Sequence, residues 1–247
     1  MDTETLVREL RRIGNPAAVE GMSRFGIRGS KMLGVSVPNL RKLAAKNGKD
    51  HGTALELWAT GIHEARLLAT MIDEPAEVTE EQLEAWVKDF DSWDIVDQAC
   101  GNLINKTPFA TPKALEWTRR EREYEKRSGF SLIAMLAVHD KKSGDKTFLD
   151  FLPSIIRESN DERNFVRKAV NWSLRQIGKR DQILNKAAIQ TAEKIAELDS
   201  KSARWIAGDA LRELRSDAVQ QKLGSARPKP SQKSSTPKRN QATHSRI

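Results

Sequence analysis

The centre of the chain reads Ser128-Gly129-Phe130-Ser131-Leu132-Ile133-Ala134-Met135-Leu136, which is apolar on almost every side when it is wound as a helix. A helix that is apolar all round is buried by its neighbours, so we expect this one at the centre of the molecule. The helical pattern extends from Tyr124 to His139. We therefore predict a buried central helix around which the rest of the chain packs.

Helical patterns continue in both directions from this segment, and no alternating β-strand pattern of useful length interrupts them. Trp93–Asn105 and Lys146–Glu158 are two of these predicted helices. Short links join the helices, and pairs of them recur roughly every 35 to 45 residues, a period typical of HEAT and armadillo repeats. We therefore predict an all-α protein with the fold of a HEAT- or armadillo-like helical-repeat solenoid.

The composition excludes several classes of protein. No apolar run in the 247 residues approaches the ~18 that a membrane helix needs, and the acidic N-terminus lacks the pattern of an export signal. The single cysteine, Cys100, rules out an intramolecular disulfide, and the four histidines lack the spacing of metal ligands. We expect a cytoplasmic monomer that uses no metal and no cofactor and binds no membrane.

The positive charge is concentrated at the C-terminus. The formal net charge is +8, and six basic residues but no acidic one lie from Gly224 onward, which leaves residues 1–223 with a net charge of only +2. A segment rich in Pro, Ser and Lys cannot form a hydrophobic core. We predict a helical-repeat domain at residues 1–223 and a disordered basic tail at residues 224–247.

The segment Asp91-Ser92-Trp93-Asp94-Ile95-Val96-Asp97 places a large aromatic residue and a carboxylate one helical turn apart. At about 100° per residue, Trp93 lies at the edge of an apolar arc and Asp97 lies just outside that arc. Asp97 is then either an ordinary charge at the helix surface, or a carboxylate that faces a groove with Trp93 and meets a cation there.

A second segment, Phe165–Ile177, combines an aromatic residue with positive charge. Trp172 lies well over a quarter-turn from the centre of the apolar stripe, in line with Lys168 and Arg175. It is either a half-buried residue packed under the stems of basic side chains, or a stacking surface beside a rim that binds phosphates.

Further cations favour a phosphate-binding surface. Arg204 and Arg212 lie on one face of the predicted helix Lys201–Leu214, and Trp205 borders that face. Arg127 lies near the start of the central helix, where the helix dipole repels a cation unless an anion shares the site. An arginine beside a helix N-terminus therefore suggests a phosphate pocket.

Taken together, these residues resemble those of the bacterial AlkD-like DNA alkylation-repair glycosylases, which are built from HEAT-like repeats. The resemblance covers roughly residues 1–215. It is carried by four segments, which are Gly34–Leu43, His63–Ala69, Ser92–Asp97 and Phe165–Arg175.

The resemblance implies a concave basic groove that binds DNA. By position, the catalytic residues implied are Asp97, Trp93 and Trp172, and Arg127 also lines the groove. Some members of the family have two adjacent tryptophans where this sequence has only Trp93. The cations expected to bind nucleic acid are Arg127, Lys168, Arg175, Arg204 and Arg212.

The activity implied is excision of N3- or N7-alkylated purines from duplex DNA by hydrolysis of the N-glycosidic bond, in base excision repair. Such a purine is a cation, and indole faces attract cations. A carboxylate close to the sugar stabilises the positive charge that develops there during cleavage. The resemblance also implies that the protein wraps the duplex without extruding the base into a pocket, unlike most glycosylases.

Two other functions remain open. A catalytically inactive HEAT-like protein would bind structured or damaged DNA without releasing a base, and some members of the family have lost excision. A helical-repeat scaffold would instead use its basic faces to bind acidic peptides. The presence of Asp97 favours the enzyme.

Overall fold

The computed structural model describes residues 1–29 and 31–225. These residues form helices and no strand, which confirms the prediction of an all-α protein. The helices are α1 (Thr3–Arg12), α2 (Pro16–Arg24), α3 (Val37–Asn47), α4 (His51–Ala59), α5 (His63–Ile72), α6 (Glu80–Lys88), α7 (Trp93–Asn102), α8 (Ala110–Trp117), α9 (Glu123–His139), α10 (Asp145–Leu149), α11 (Leu152–Glu158), α12 (Asn164–Gly178), α13 (Gln182–Ala196), α14 (Lys201–Leu214) and α15 (Asp217–Ser225).

Five helices form an inner row in which each packs against the next, in the order α5, α7, α9, α12 and α14. Four other helices cover this row, because α4 packs on α5, α8 on α9, α11 on α12 and α13 on α14. Most inner helices are therefore paired with the helix that precedes them in the chain. Stacked pairs of this kind are the arrangement of a helical-repeat solenoid.

The central helix α9 is buried, as its composition predicts. It packs against α7, α8 and α12, and its residues from Arg127 to Ala134 are all buried. Gly129 allows the closest of these approaches. A Cβ atom at Gly129 would lie 2.4 Å from the backbone nitrogen of Thr118 and 2.9 Å from the carbonyl oxygen of Ala114. The packing of α8 on α9 therefore requires a residue without a side chain.

Two of the predicted helices are interrupted in the structure. The predicted helix Trp93–Asn105 ends at Asn102 and continues as a 3-10 turn at Ile104–Lys106. The predicted helix Lys146–Glu158 is two helices, α10 and α11, because Pro153 lacks a backbone N–H and belongs in a first turn.

The C-terminal boundary is only partly described. Helix α15 extends to Ser225 and so includes the first two residues of the predicted tail. Residues 226–247 lie outside the described part of the chain, and the disordered tail stays a prediction. Across the helices that are described, none is long and apolar enough to cross a membrane.

A cluster of charges connects α6 to α8 on the covering side of the molecule. Glu84 accepts hydrogen bonds from Lys113 at 2.8 Å, from the indole of Trp117 at 3.0 Å and from Arg120 at 2.7 Å. Burial opposes the charge of Glu84, but these three hydrogen bonds outweigh burial and lower the pKa of Glu84 to about 2. The ionised carboxylate therefore stabilises the fold.

We expect opposite effects from two Gly→Ala substitutions inside helices. Gly129→Ala should lower the free energy of unfolding by ~1–3 kcal/mol, because α8 or α9 has to shift. Gly208→Ala, on α14, should raise it by ~0.5–1 kcal/mol, since no atom lies within 4 Å of its added methyl group. Urea unfolding measures both, and a Gly129→Ala protein as stable as the parent would contradict the packing of α8 on α9.

Glu84→Gln should lower the free energy of unfolding by ~1–3 kcal/mol at pH 7. The folded pKa of about 2 lies below the ordinary value of 4.5, so the stabilisation is present above about pH 4.5 and is lost as the pH falls toward 2. Urea midpoints of parent and variant should therefore begin to converge below about pH 4.5 and should approach each other as the pH falls toward 2. Glu81→Gln is the matched control, because Glu81 is exposed on the same helix, and a constant difference between Glu84→Gln and the parent would contradict the assignment.

Candidate functional site

Asp97 is the carboxylate on which the candidate site is built. It lies on α7, one turn after Trp93, and accepts hydrogen bonds from Arg127 Nη2 at 3.0 Å on Oδ1 and 2.8 Å on Oδ2. Ser131 Oγ donates a third hydrogen bond to Oδ1 at 2.9 Å. The Asp97 side chain is 18% exposed and that of Arg127 is 7% exposed. The carboxylate is therefore fixed in place and reaches solvent on one side only.

Arg127 connects three helices of the inner row. From α9 it binds Asp97 on α7, and its Nη1 donates to the carbonyl oxygen of Phe165 on α12 at 2.6 Å. Its guanidinium carbon lies 5.9 Å from the centre of the Trp93 ring, a cation–π contact. The anion predicted beside Arg127 is thus present as the carboxylate of Asp97, and burial of this arginine does not require a phosphate.

The ionisation of Asp97 reflects two opposing influences. Burial is the larger and raises the pKa of the Asp97 carboxyl above its ordinary value, whereas the charge of Arg127 and the hydrogen bonds from Arg127 and Ser131 act to lower it. The Cys100 thiol lies one turn further along α7, is fully buried, and also has a raised pKa because of burial and the Asp97 charge. Cys100 is therefore a buried thiol and takes no part in the site.

A cleft of about 320 Å³ opens beside Asp97 and spans four helices of the inner row. It brings together side chains that are far apart in the sequence. Trp172 is half-buried on its wall, and Lys168 is exposed at its rim. The residues that line it are Asp97, Arg127, Lys168, Asn171, Trp172, Arg175, Trp205 and Asp209.

Trp93 is the predicted catalytic residue that does not line this cleft. Its indole N–H donates to the carbonyl oxygen of Phe25 at 3.0 Å, so the ring is held between the end of α2 and Arg127. Gly26 follows with a φ of 76°, and a Cβ there would lie 2.6 Å from the Phe165 ring. Trp93 thus fixes the segment after α2 against the inner row.

Two further residues of the cleft carry chemistry, and sequence reasoning had missed the first of them, Asp209. Asp209 accepts a hydrogen bond from Asn171 at 2.7 Å. Burial opposes the charge of Asp209, but that hydrogen bond together with Arg175 and Arg212 lowers its pKa. Trp205 is 40% exposed, and Arg167 covers one face of its ring at 4.8 Å. The i, i+3 spacing of Asp209 and Arg212 was a signal for the first of these.

The predicted phosphate-binding cations differ in the ion pairs that they form within the protein. Arg175 pairs with Glu213 at 2.6 Å and with Asp209 at 3.3 Å. Arg204 and Arg212 are exposed; Arg204 pairs with Asp199 and Arg212 with Asp209. Lys168 has no ion-pair partner within the part of the chain that the structure describes. Lys168, Arg204 and Arg212 are therefore the more accessible cations.

A known protein family matches most of the chain. Residues 6–214 match the model of a family described as DNA alkylation repair enzyme. The chain belongs to this family. No curated protein sequence matches the chain significantly.

Two solved structures match this DNA alkylation repair family member to different extents. One is described as "A new family of proteins related to the HEAT-like repeat DNA glycosylases with affinity for branched DNA structures"; it has a TM-score of 0.75 and 19% identity, and the match covers 91% of this chain and 97% of that one. A designed armadillo repeat protein in complex with a (KR)4 peptide has a TM-score of 0.36 and 13% identity, over 75% of this chain and 88% of that one. The first confirms the HEAT-like repeat fold.

The site contains no arrangement for a metal ion. Among residues 1–29 and 31–225, no three His, Cys, Asp or Glu side chains form a group that could hold one. The cleft offers carboxylates, indoles and basic side chains. Asp97 and Trp172 both line it, so a carboxylate and an indole lie in the same cleft of this family member.

We expect Arg127→Gln to lower the free energy of unfolding by ~3–5 kcal/mol, because it leaves the carboxylate of Asp97 largely buried without a counter-charge. Adding Asp97→Asn to that variant should restore part of the loss, since the unpaired charge is then removed. Arg204→Gln is the control, because its partner Asp199 is fully exposed. Urea unfolding of the four proteins measures this, and equal midpoints for Arg127→Gln and Arg204→Gln would contradict the buried pair.

Proposed function

We propose that this protein is a DNA glycosylase that excises positively charged N3- and N7-alkylated purines from duplex DNA by hydrolysing the N-glycosidic bond, in base excision repair. One observation carries the proposal, which is the fixed carboxylate of Asp97 in the same cleft as the half-buried indole of Trp172. Membership of the DNA alkylation repair enzyme family supports DNA, and not an acidic peptide, as the partner.

The arrangement suits a cationic leaving group. An alkylated purine already carries a positive charge, and the face of Trp172 attracts it by ~0.5–2 kcal/mol. As the glycosidic bond breaks, positive charge moves to the sugar, where a nearby carboxylate stabilises it and orients the attacking water. Three hydrogen bonds hold Asp97 for this role before substrate arrives.

The accessible cations supply the contacts to the DNA backbone. Lys168 at the rim of the cleft and Arg204 and Arg212 on α14 are exposed. The pair between Arg204 and the fully exposed Asp199 is weak in water, so a phosphate can replace the carboxylate at little cost. These contacts position the duplex and do not read its sequence. They form the basic groove of the proposal.

A second candidate is a protein that binds structured DNA without releasing a base. One observation favours it, because a single guanidinium nitrogen of Arg127 occupies both oxygens of Asp97 and partly neutralises the charge that would face the sugar. The similar solved structure is described as having affinity for branched DNA. Binding of damaged duplex without base release would identify this function.

The first test compares two carboxylates of one cleft. The parent should release N7-methylguanine or N3-methyladenine from alkylated duplex DNA. Asp97→Asn should slow single-turnover release by ~10² or more, the scale of losing one electrostatic stabiliser, whereas its affinity for DNA should barely change. Asp209→Asn is the matched control, because it removes the same charge from the same cleft at a carboxylate to which the proposal gives no catalytic role, and it should stay within about tenfold of the parent. Release by Asp97→Asn at the parent rate would refute the proposed catalytic role.

The second test concerns the indole. Trp172→Ala should weaken both binding and release of a cationic lesion, and Trp172→Phe should retain part of each because a smaller ring still attracts a cation. A neutral lesion should be affected less. Trp205→Ala should have the smaller effect of the two, since Arg167 already covers one face of that ring. The measurement is single-turnover release from duplexes with one defined lesion, and equal losses for cationic and neutral lesions would contradict a cation–π role.

A further inference from the structure

A second cleft is lined by residues of α9 and α12, two of the helices that also line the first cleft. It has a volume of about 380 Å³ and is lined by four cations, Lys141, Lys179, Arg180 and Lys222, while no acidic residue of the described part of the chain lines it. The apolar part of its wall includes Val138 near the end of α9. The cations come from α15, from the segment after α9 and from the end of α12, so three parts of the chain converge there.

The two clefts share the same faces of the same two helices. At ~100° per residue, Arg127, Ser131 and Val138 lie within about 40° of one another around α9. Trp172 of the first cleft, on α12, and Lys179 of the second, directly after α12, lie within about 20° of one another by the same measure. Seven residues separate Trp172 from Lys179, which is ~10 Å along the helix axis. A linear ligand that occupies the first cleft can therefore continue into the second.

Arg180 forms the fixed floor of this second cleft. Its Nη1 donates to the carbonyl oxygen of Ala137 at 2.6 Å, and its guanidinium carbon lies 3.7 Å from the centre of the Phe148 ring. Its Nε atom is buried and has no hydrogen-bond partner among the residues that the structure describes. Burial lowers the pKa of Arg180, while nearby carboxylates raise it. The carboxylates in question are Asp140, Asp145 and Asp181, and none of them lines the cleft.

The other three cations differ in exposure and in their contacts. Lys179 pairs with Glu213 at 2.6 Å, so part of its charge is already balanced. Lys141 and Lys222 are exposed, and Lys141 donates to the carbonyl oxygen of Val138 at 2.5 Å. Two lysines therefore lie exposed on the rim of the cleft above a fixed arginine. The cleft thus concentrates positive charge at one place on a chain that is only mildly basic outside its tail.

We infer that this second cleft binds backbone phosphates of the same DNA strand that occupies the first. At ~3.4 Å of axial rise per phosphate of one strand, the ~10 Å between Trp172 and Lys179 along the axis of α12 corresponds to about three nucleotides. The phosphates bound there lie outside the reacting nucleotide, so the cleft contributes to affinity and to the register of the duplex. This inference rests on the proposed function only in taking DNA as the ligand.

The experiment measures binding of undamaged duplex DNA at several salt concentrations. The double variant Lys141→Gln/Lys222→Gln should reduce the slope of log affinity against log salt by about 0.9 for each phosphate that the two lysines no longer neutralise. The matched control is Lys186→Gln/Lys194→Gln, which removes the same charge from exposed positions on α13, a helix that covers the inner row. The control should reduce the slope much less.

Each outcome decides the inference separately from the proposed function. If the double variant and the control have the same slope of log affinity against log salt, the second cleft does not bind DNA phosphates, whether or not the parent releases bases. A reduced slope in a protein that releases no base supports the second cleft and refutes the glycosylase. If Lys141→Gln/Lys222→Gln weakens binding of polyglutamate but not of duplex DNA, the cleft takes an acidic peptide and the inference is wrong.

Discussion

The ion pair between Asp97 and Arg127 is the interaction on which both the fold of the inner row and the candidate site depend. It joins α7 to α9, and the second arm of the same guanidinium joins α9 to α12 through the carbonyl oxygen of Phe165. Both charges are largely removed from water, so neither can lose its partner without a large cost. The position of the carboxylate is therefore set by the packing of three helices, and not by its own helix alone.

The same pair limits what Arg127 can do for DNA. One of its terminal nitrogens donates to Asp97 and the other to Phe165, and its Nε is buried without a partner among the described residues. Turning this guanidinium toward a phosphate would leave a charge on Asp97 unpaired. We therefore expect exposed cations such as Lys168 and Arg204 to contact the DNA backbone, because an exposed side chain loses little free energy when it exchanges one partner for another. Arg127 positions the carboxylate, and the rim positions the duplex.

Much of the fold could be predicted from the sequence, because the spacing of apolar residues records which face of each helix is buried. The central helix was found in this way, while the break between α10 and α11 was missed although Pro153 signals it. Partners across helices were harder, since they are separated by about one repeat. Asp97 and Arg127 are 30 residues apart, and Asn171 and Asp209 are 38 apart. Single-helix periodicity cannot report such pairs, so Arg127 suggested a phosphate where the structure has a carboxylate.

The central claim is that the carboxylate of Asp97, ionised and held by Arg127, stabilises the sugar cation as an alkylated purine leaves. Its most direct test is the pH dependence of single-turnover release of N7-methylguanine at saturating protein. The rate should fall on the acid side as Asp97 takes up a proton, at a pH above the ordinary 3.8 because burial raises the pKa of this carboxyl. That acid limb should be absent from the slow release by Asp97→Asn. Release that is independent of pH, or the same acid limb in both proteins, would contradict the claim.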